Sequence, residues 1–414
     1  MTTVPAASAR VPENSRAGSA DGQTHPIPFR QILLKIHSRC NLACSYCYVY
    51  EHADQSWRQQ PRTMAPDTID AVAARIAEHA RRHRLPALRV ILHGGEPLLA
   101  GADVITHAAT AIRSAVPADT DVDLRLTTNG TLIDDTFIAL FHQHRISVGV
   151  SIDGGRVAQD RHRRLPNGRG SYRQVSQGLH RLAQPAHRDV YAGVLCTIDL
   201  DNDPIEVYQE LLRFDPPEME LLLPLGNWDT PPPGRSTNPD QTPYADWLIP
   251  VFDRWFSAPR RETRVRLFES IIRLLLGGTS RTEAVGLAPV DLLTVETDGS
   301  IEQTDALKTS GPGMAATGLD VRHHPFDDAL EHPGVRARHG GLGALSTTCQ
   351  RCPVVTTCGG GLYAHRFRND TGFVNPSVYC PDLYRLVSHI RNRLLDELPH
   401  QFRTAPGLVR SAVR

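Results

Sequence analysis

Between residues 31 and 226, short β-rich runs alternate with longer amphipathic stretches, which restricts the chain to repeated β-α units around a parallel sheet. The strand candidates are QILLKIH (31–37), LRVILHGG (88–95), DVDLRLTTNG (121–130), SVGVSIDG (147–154), VYAGVLCTIDL (190–200) and EMELLLPLG (218–226). Between the first two, Ile69, Val72, Ala73 and Ile76 recur at helical spacing, and further helices are predicted near 103–115, 134–144, 171–183 and 204–213. The pattern predicts an α/β fold, an open (β/α)6 barrel, with its polar motifs at the C-terminal ends of the strands, the face where such barrels build active sites. Clustered Pro and Gly in TPPPGRSTNPDQTP (230–243) cannot continue helix or sheet, so a linker belongs there. Residues 244–277 read as helical, and 290–385 as loop-rich.

Basic and acidic residues balance at 45 each, which excludes the electrostatic footprint of a nucleic-acid binder. No segment approaches the roughly 20 apolar residues that cross a bilayer, and no apolar run near Met1 resembles a signal peptide. The expectation is a soluble, cytoplasmic protein without membrane or nucleic-acid partners. Thiols in that compartment stay reduced and serve metals or chemistry rather than disulfides.

Three of the eight cysteines crowd into HSRCNLACSYCYVYEHADQSW, at Cys40, Cys44 and Cys47. A four-iron cubane normally takes four thiolates. Three leave one iron open to a small molecule, as a catalytic zinc site leaves a position open. The competing reading is a structural zinc site completed by His37 or His52. Downstream, HGGEP (93–97), TTNG (127–130) and SIDG (151–154) each follow a predicted strand. Separately they also read as turns.

The C-x3-C-x2-C spacing, with Tyr46 before the last cysteine, resembles the signature of radical S-adenosylmethionine (SAM) enzymes. The resemblance spans about residues 30–226 and implies a partial, TIM-like (β/α)6 barrel. It implies that Cys40, Cys44 and Cys47 hold a [4Fe-4S] cluster whose open iron chelates SAM. Gly94, Gly95 and Glu96 would then meet the methionine amino group, and Asn129, Ser151 and Asp153 the ribose and carboxylate.

Near the C-terminus, TTCQRCPVVTTCGGG (347–361) and Cys380 give C-x2-C-x5-C, a gap, then C. This resembles the SPASM extension of peptide-modifying radical SAM enzymes and implies that Cys349, Cys352, Cys358 and Cys380 hold one auxiliary [4Fe-4S] cluster. Four thiolates also suit tetrahedral zinc, which stays open as an alternative. Where that family has further cysteines for another cluster, Thr304 and Leu362 stand here, so two clusters are expected in all. Cys196, inside an apolar strand, reads as core. The corresponding division is a flexible tail (1–28), the barrel (29–228), a linker and helical bridge (229–290), the SPASM-like domain (291–395) and a C-terminal tail (396–414).

The wording of the first motif, together with VETDGSIEQTDALK, looks like the Fxs-type peptide maturases. The resemblance implies a ribosomally made precursor peptide as substrate and an external electron donor such as a ferredoxin or flavodoxin. The implied product is a three-residue cyclophane joining an aromatic ring carbon to a β-carbon. Asp305 matches the general base of the sulfatase-maturing relatives. Ether or thioether crosslinking, epimerisation and sulfatase maturation are the alternatives, and a non-enzymatic peptide-binding or redox-sensing protein is the reading from another class. Tyr48, Tyr50 and Trp57 either line a peptide groove or pack the loop.

Overall fold

The computed structural model describes residues 27–238 and 240–397; most of the two tails expected at 1–28 and 396–414 lies outside the described residues. Six parallel strands form the centre of one sheet: β1 (Gln31–His37), β2 (Ala87–Gly94), β3 (Asp121–Thr128), β4 (Ser147–Ser151), β5 (Tyr191–Thr197) and β6 (Glu218–Leu222). Each lies within a few residues of its expected place. Beyond β6 the edge gains β7 (Arg264–Val265); beyond β1 it gains β8 (Leu292–Val295), β9 (Ser300–Glu302) and β10 (Ala316–Asp320), in the order β10-β9-β8-β1-β2-β3-β4-β5-β6-β7.

Alternation along the strands sets two unlike faces. In β2 every second residue is fully buried: Leu88, Val90, Leu92 and Gly94. That face meets helices such as α1 (Pro66–His83), which buries the predicted Ile69, Val72, Ala73 and Ile76. The intervening residues Arg89, Ile91 and His93 lie on the other, partly open face. There Asp123 of β3 receives Arg89 at 2.7 Å, so the barrel interior is polar. Cys196 is 1% exposed within the hydrophobic core, as its apolar surroundings predict.

The C-terminal third joins this sheet. β8 runs parallel to β1, with Leu34 between Leu92 and Val295, and β8, β9 and β10 continue as an antiparallel meander. These strands have four, three and five residues, too short for a periodicity to stand out in the sequence. The stretch 244–277 is two helices, Pro243–Phe256 and Arg266–Leu275, separated by the turn that carries β7. The first packs against the terminal helix Cys380–Glu397, whose Asp382 caps it by accepting from the Tyr244 and Ala245 amides at 2.8 and 3.0 Å. Among the described residues, no helix is long and apolar enough to cross a membrane.

Candidate functional site

The three N-terminal cysteines lie on the loop that leaves β1, at the C-terminal mouth of the barrel. Their shape depends on the glycines at the end of β2. A Cβ on Gly94 would fall 2.0 Å from the His37 carbonyl, and one on Gly95 1.9 Å from Tyr50 Oη and 2.4 Å from the Arg39 carbonyl. The Gly95 and Glu96 amides donate to those carbonyls at 2.8 and 2.9 Å, so the GGE backbone braces the root of the cysteine loop. Gly95→Ala should therefore push the loop away, lowering stability by about 1–3 kcal/mol, the usual range for overpacking. Reduced iron content and a lower melting temperature would register it; unchanged values would show that the loop yields freely.

Glu96 staples the mouth together. It is fully buried and accepts from Thr128 Oγ1 (2.7 Å), the Asn129 amide (2.7 Å) and the Leu98 amide (3.0 Å). Burial pushes its carboxyl up to about 7 against the pull of those donors. Asn129, so fixed, directs its side-chain amide at Cys40 Sγ (3.6 Å) and Asn41 Oδ1 (2.8 Å). The structure thus brings Glu96, Asn129 and Cys40 into one constellation. Ser151 is half-buried at the end of β4, on the same mouth.

Asp153 is more fully engaged. Tyr46 Oη and Arg163 Nε (2.9 Å) donate to its Oδ2, and the Thr197 amide donates to Oδ1 at 3.0 Å. Arg163 also stands over the Tyr46 ring at 5.4 Å. Motif reading missed Arg163, which comes from a two-residue ribbon pairing 43–44 with 163–164 and carries no sequence signal of its own. Burial drives the thiols upward, Cys40 to about 12 and Cys44 to about 11, the latter despite Arg163. Ligation by a metal therefore releases protons.

One step further, a charged cluster is closed off from solvent. Tyr48, the residue after Cys47, donates to Asp305 Oδ2 at 2.9 Å, and Lys35 Nζ lies 2.6 Å from Oδ1. Lys35 also meets Glu296 at 2.7 Å; Lys308 meets Glu296 at 2.7 Å and Glu302 at 3.0 Å. Lys35, Lys308 and Asp305 are 3%, 2% and 5% exposed, so charges here survive only as a network. Burial opposes both lysine charges, yet the surrounding carboxylates hold Lys35 well above its ordinary range. Burial, then Glu296, pushes Glu302 from 4.5 up to about 8. Lys35 was legible only as a lysine inside the otherwise apolar strand QILLKIH. His93 Nδ1, Thr294 Oγ1 and Ser310 Oγ are buried nearby without partners, leaving hydrogen-bonding capacity for a ligand.

The raised Glu302 gives a pH signature. The folded chain keeps a proton that the unfolded chain releases near 4.5, so this stability is full at low pH and is lost as pH rises through about 8. Glu302→Gln mimics the protonated form. Relative to wild type it should gain on the order of a few kcal/mol of stability across that window, seen as a flatter melting-temperature profile. Parallel profiles would place the proton elsewhere.

The other four cysteines line one pocket: Cys349, Cys352, Cys358 and Cys380, with Gly360 and Ser377. Arg366 cages the glycine loop, donating to the Gly359, Gly360 and Gly361 carbonyls at 2.7, 3.1 and 2.8 Å. Tetrahedral zinc with bonds near 2.3 Å needs sulfurs about 3.8 Å apart. Among the described residues no three of these sulfurs lie within 4.8 Å of one another.

A family model described as Radical SAM superfamily matches residues 34–211. A serine-type anaerobic sulfatase-maturating enzyme of Klebsiella aerogenes is 25% identical over 376 residues, 88% of this chain and 86% of that enzyme. A cysteine-type enzyme of Clostridium perfringens strain 13 is 21% identical, covering 89% and 98%. Among solved structures, native anSMEcpe with bound AdoMet shares the fold at TM-score 0.76 and 19% identity, over 88% of this chain and 98% of that one. Streptococcus suis SuiB bound to precursor peptide SuiA aligns at TM-score 0.55 and 10% identity, over 86% and 76%. A radical SAM domain implies a [4Fe-4S] cluster, and Cys40, Cys44 and Cys47, free thiols on the loop after β1, could hold it. Residues 34–211 match that domain on a radical SAM α/β fold, and the chain is an enzyme that uses radical chemistry.

Proposed function

We propose that this enzyme oxidatively modifies a ribosomally made precursor peptide, joining an aromatic ring carbon to the β-carbon two residues on to close a three-residue cyclophane. The observation that carries the reading is Asp305, a buried carboxylate clamped by Tyr48 and Lys35 beside the cysteine loop. An oxidative crosslink must shed a proton, and a carboxylate so positioned is a general base. When bound, a cluster on Cys40, Cys44 and Cys47 supplies the electron that cleaves SAM to a hydrogen-abstracting 5′-deoxyadenosyl radical, and one on Cys349, Cys352, Cys358 and Cys380 supplies an electron sink.

The chain's own residues do the rest. The Gly95 and Glu96 amides are spent on the His37 and Arg39 carbonyls, and the Gly94 and Gly95 carbonyls take the methionine amino group. Asn129 and Ser151 take the ribose, and Asp153 acts through Tyr46 and Arg163 to shape the carboxylate side. Asp305 accepts the ring proton. The peptide loses one hydrogen atom, one proton and one electron, two hydrogens in mass. An external ferredoxin or flavodoxin supplies the electron for SAM cleavage.

The relatives named above favour a second reading, sulfatase maturation, over most of the chain. Thr304 and Leu362, where that group's further cluster ligands stand, speak against it. Two peptides separate the readings: a candidate precursor taken from a small reading frame beside this gene, and a sulfatase-derived peptide carrying serine or cysteine. Modification of the precursor alone supports crosslinking; modification of the sulfatase peptide alone replaces it.

A further inference from the structure

The last turn of α1 and the short helix Phe326–Leu330 bring His79, His83 and Asp327 together, with their ligand atoms all within 4.8 Å. Spacing of four puts both imidazoles on one face of α1. Because α1 runs back toward the start of β2, this cluster lies at the opposite end of the barrel from the cysteine loop. In such barrels that end serves stability rather than chemistry.

The hydrogen bonding of His79 does not close by itself. Nδ1 lies 2.6 Å from Asp327 Oδ1, and Nε2 lies 3.1 Å from the Phe29 carbonyl. Both partners are acceptors, and a neutral imidazole has one proton to give. If Nε2 carries it, the Nδ1 lone pair faces the carboxylate; if Nδ1 carries it, the Nε2 lone pair faces the carbonyl. A doubly protonated ring would serve both. That ring, however, is 4% exposed between Phe29 and Phe326, with centroids 5.9 and 6.2 Å away. Burying a charge there is costly, and Arg82 Nε already occupies Asp327 Oδ2 at 2.7 Å.

A cation at the junction satisfies every atom. We infer that His79 Nδ1, His83 Nε2 and Asp327 hold a divalent cation of the zinc class, which clips α1 to the C-terminal segment. Two imidazoles and a carboxylate form the borderline donor set that zinc prefers. His79 then donates Nε2–H to the Phe29 carbonyl, the second hydrogen bond that metal-ligating histidines usually make. Arg82 orients the carboxylate. His83 Nε2, 2.9 Å from Asp327 Oδ1, completes the group, and its side chain is 24% exposed, leaving room for a water as fourth ligand. Bonds of 2.0–2.1 Å separate tetrahedral ligands by about 3.3 Å, so loading widens the present contacts by less than about 1 Å. The clip joins residues 244 and 248 positions apart, the long closure that such cross-links stabilise most.

The test uses anaerobically reconstituted holoenzyme, equilibrated with Zn2+ and returned to metal-free buffer. Zinc and iron are counted together, and zinc-edge X-ray absorption identifies the ligands. Expected are about one zinc per chain with imidazole and oxygen scattering, and a loss of roughly tenfold or more in His83→Ala with iron unchanged. Background zinc in wild type, wild-type zinc in His83→Ala, or sulfur scattering near 2.3 Å each overturns the site, the last by moving zinc to the cysteines. Absorption on the wild type decides even if the variant folds poorly. The outcome is independent of which peptide the enzyme modifies.

Discussion

Replacing Cys44 by alanine should abolish reductive cleavage of SAM, lowering 5′-deoxyadenosine formation by at least roughly a thousandfold, which corresponds to about 4 kcal/mol in barrier. The ligand set has no reserve. Three thiols follow β1, and the groups closest to them already have duties: Asn129 binds Cys40 and Asn41, and Arg163 is committed to Asp153. Loss of one sulfur leaves the cluster two donors, and iron per chain should fall from about eight to about four while the C-terminal cysteines keep theirs. The loop itself should persist, since the Cys47 amide bonds the Cys44 carbonyl at 3.0 Å whatever side chain residue 44 carries. Cleavage near the wild-type rate would remove the N-terminal trio as the site of radical generation.

Asp305→Asn should separate the two halves of the reaction. SAM cleavage continues, and product formation slows by roughly 10²–10⁴, the usual contribution of a general base. The substitution keeps the shape and the Tyr48 contact but removes the basic lone pair. Breaking a buried ion pair usually costs about 3–5 kcal/mol. Here Lys35 retains Glu296 at 2.7 Å, which limits the loss and keeps the variant folded. Intact mass of the peptide and 5′-deoxyadenosine, measured in one incubation, give the ratio. A ratio equal to wild type would pass the role of base to another group.

The barrel was legible because its signal is periodic. Strands such as ALRVILHG are long enough to show alternation, and Ile69, Val72, Ala73 and Ile76 face inward as their spacing requires. The meander 292–320 was not, because its strands are short and their pairing with β1 is a long-range event that no local pattern announces. At the site, the cysteines and the turn motifs stood out by spacing. The supporting cast did not. Arg163, Lys308 and Glu302 are ordinary charged residues in sequence, and their meaning appears only when folding buries them against Asp153, Glu296 and one another. Asp153 illustrates the converse: a residue visible as a motif spends its oxygens on Tyr46, Arg163 and Thr197, so its influence passes through neighbours. His79, His83 and Asp327 combine both cases, since the histidine spacing is visible in sequence but the third ligand lies 248 residues from the first.

The most direct measurement is the intact mass of a candidate precursor peptide, taken from a small reading frame beside this gene, after anaerobic incubation with reconstituted enzyme, SAM and a low-potential reductant, with 5′-deoxyadenosine quantified in the same vial. A peptide lighter by two hydrogens, formed in step with 5′-deoxyadenosine, and fragmentation that fails across one three-residue segment is the predicted result. An unaltered mass with deuterium incorporated from heavy water, or turnover confined to a sulfatase-derived peptide, would contradict it.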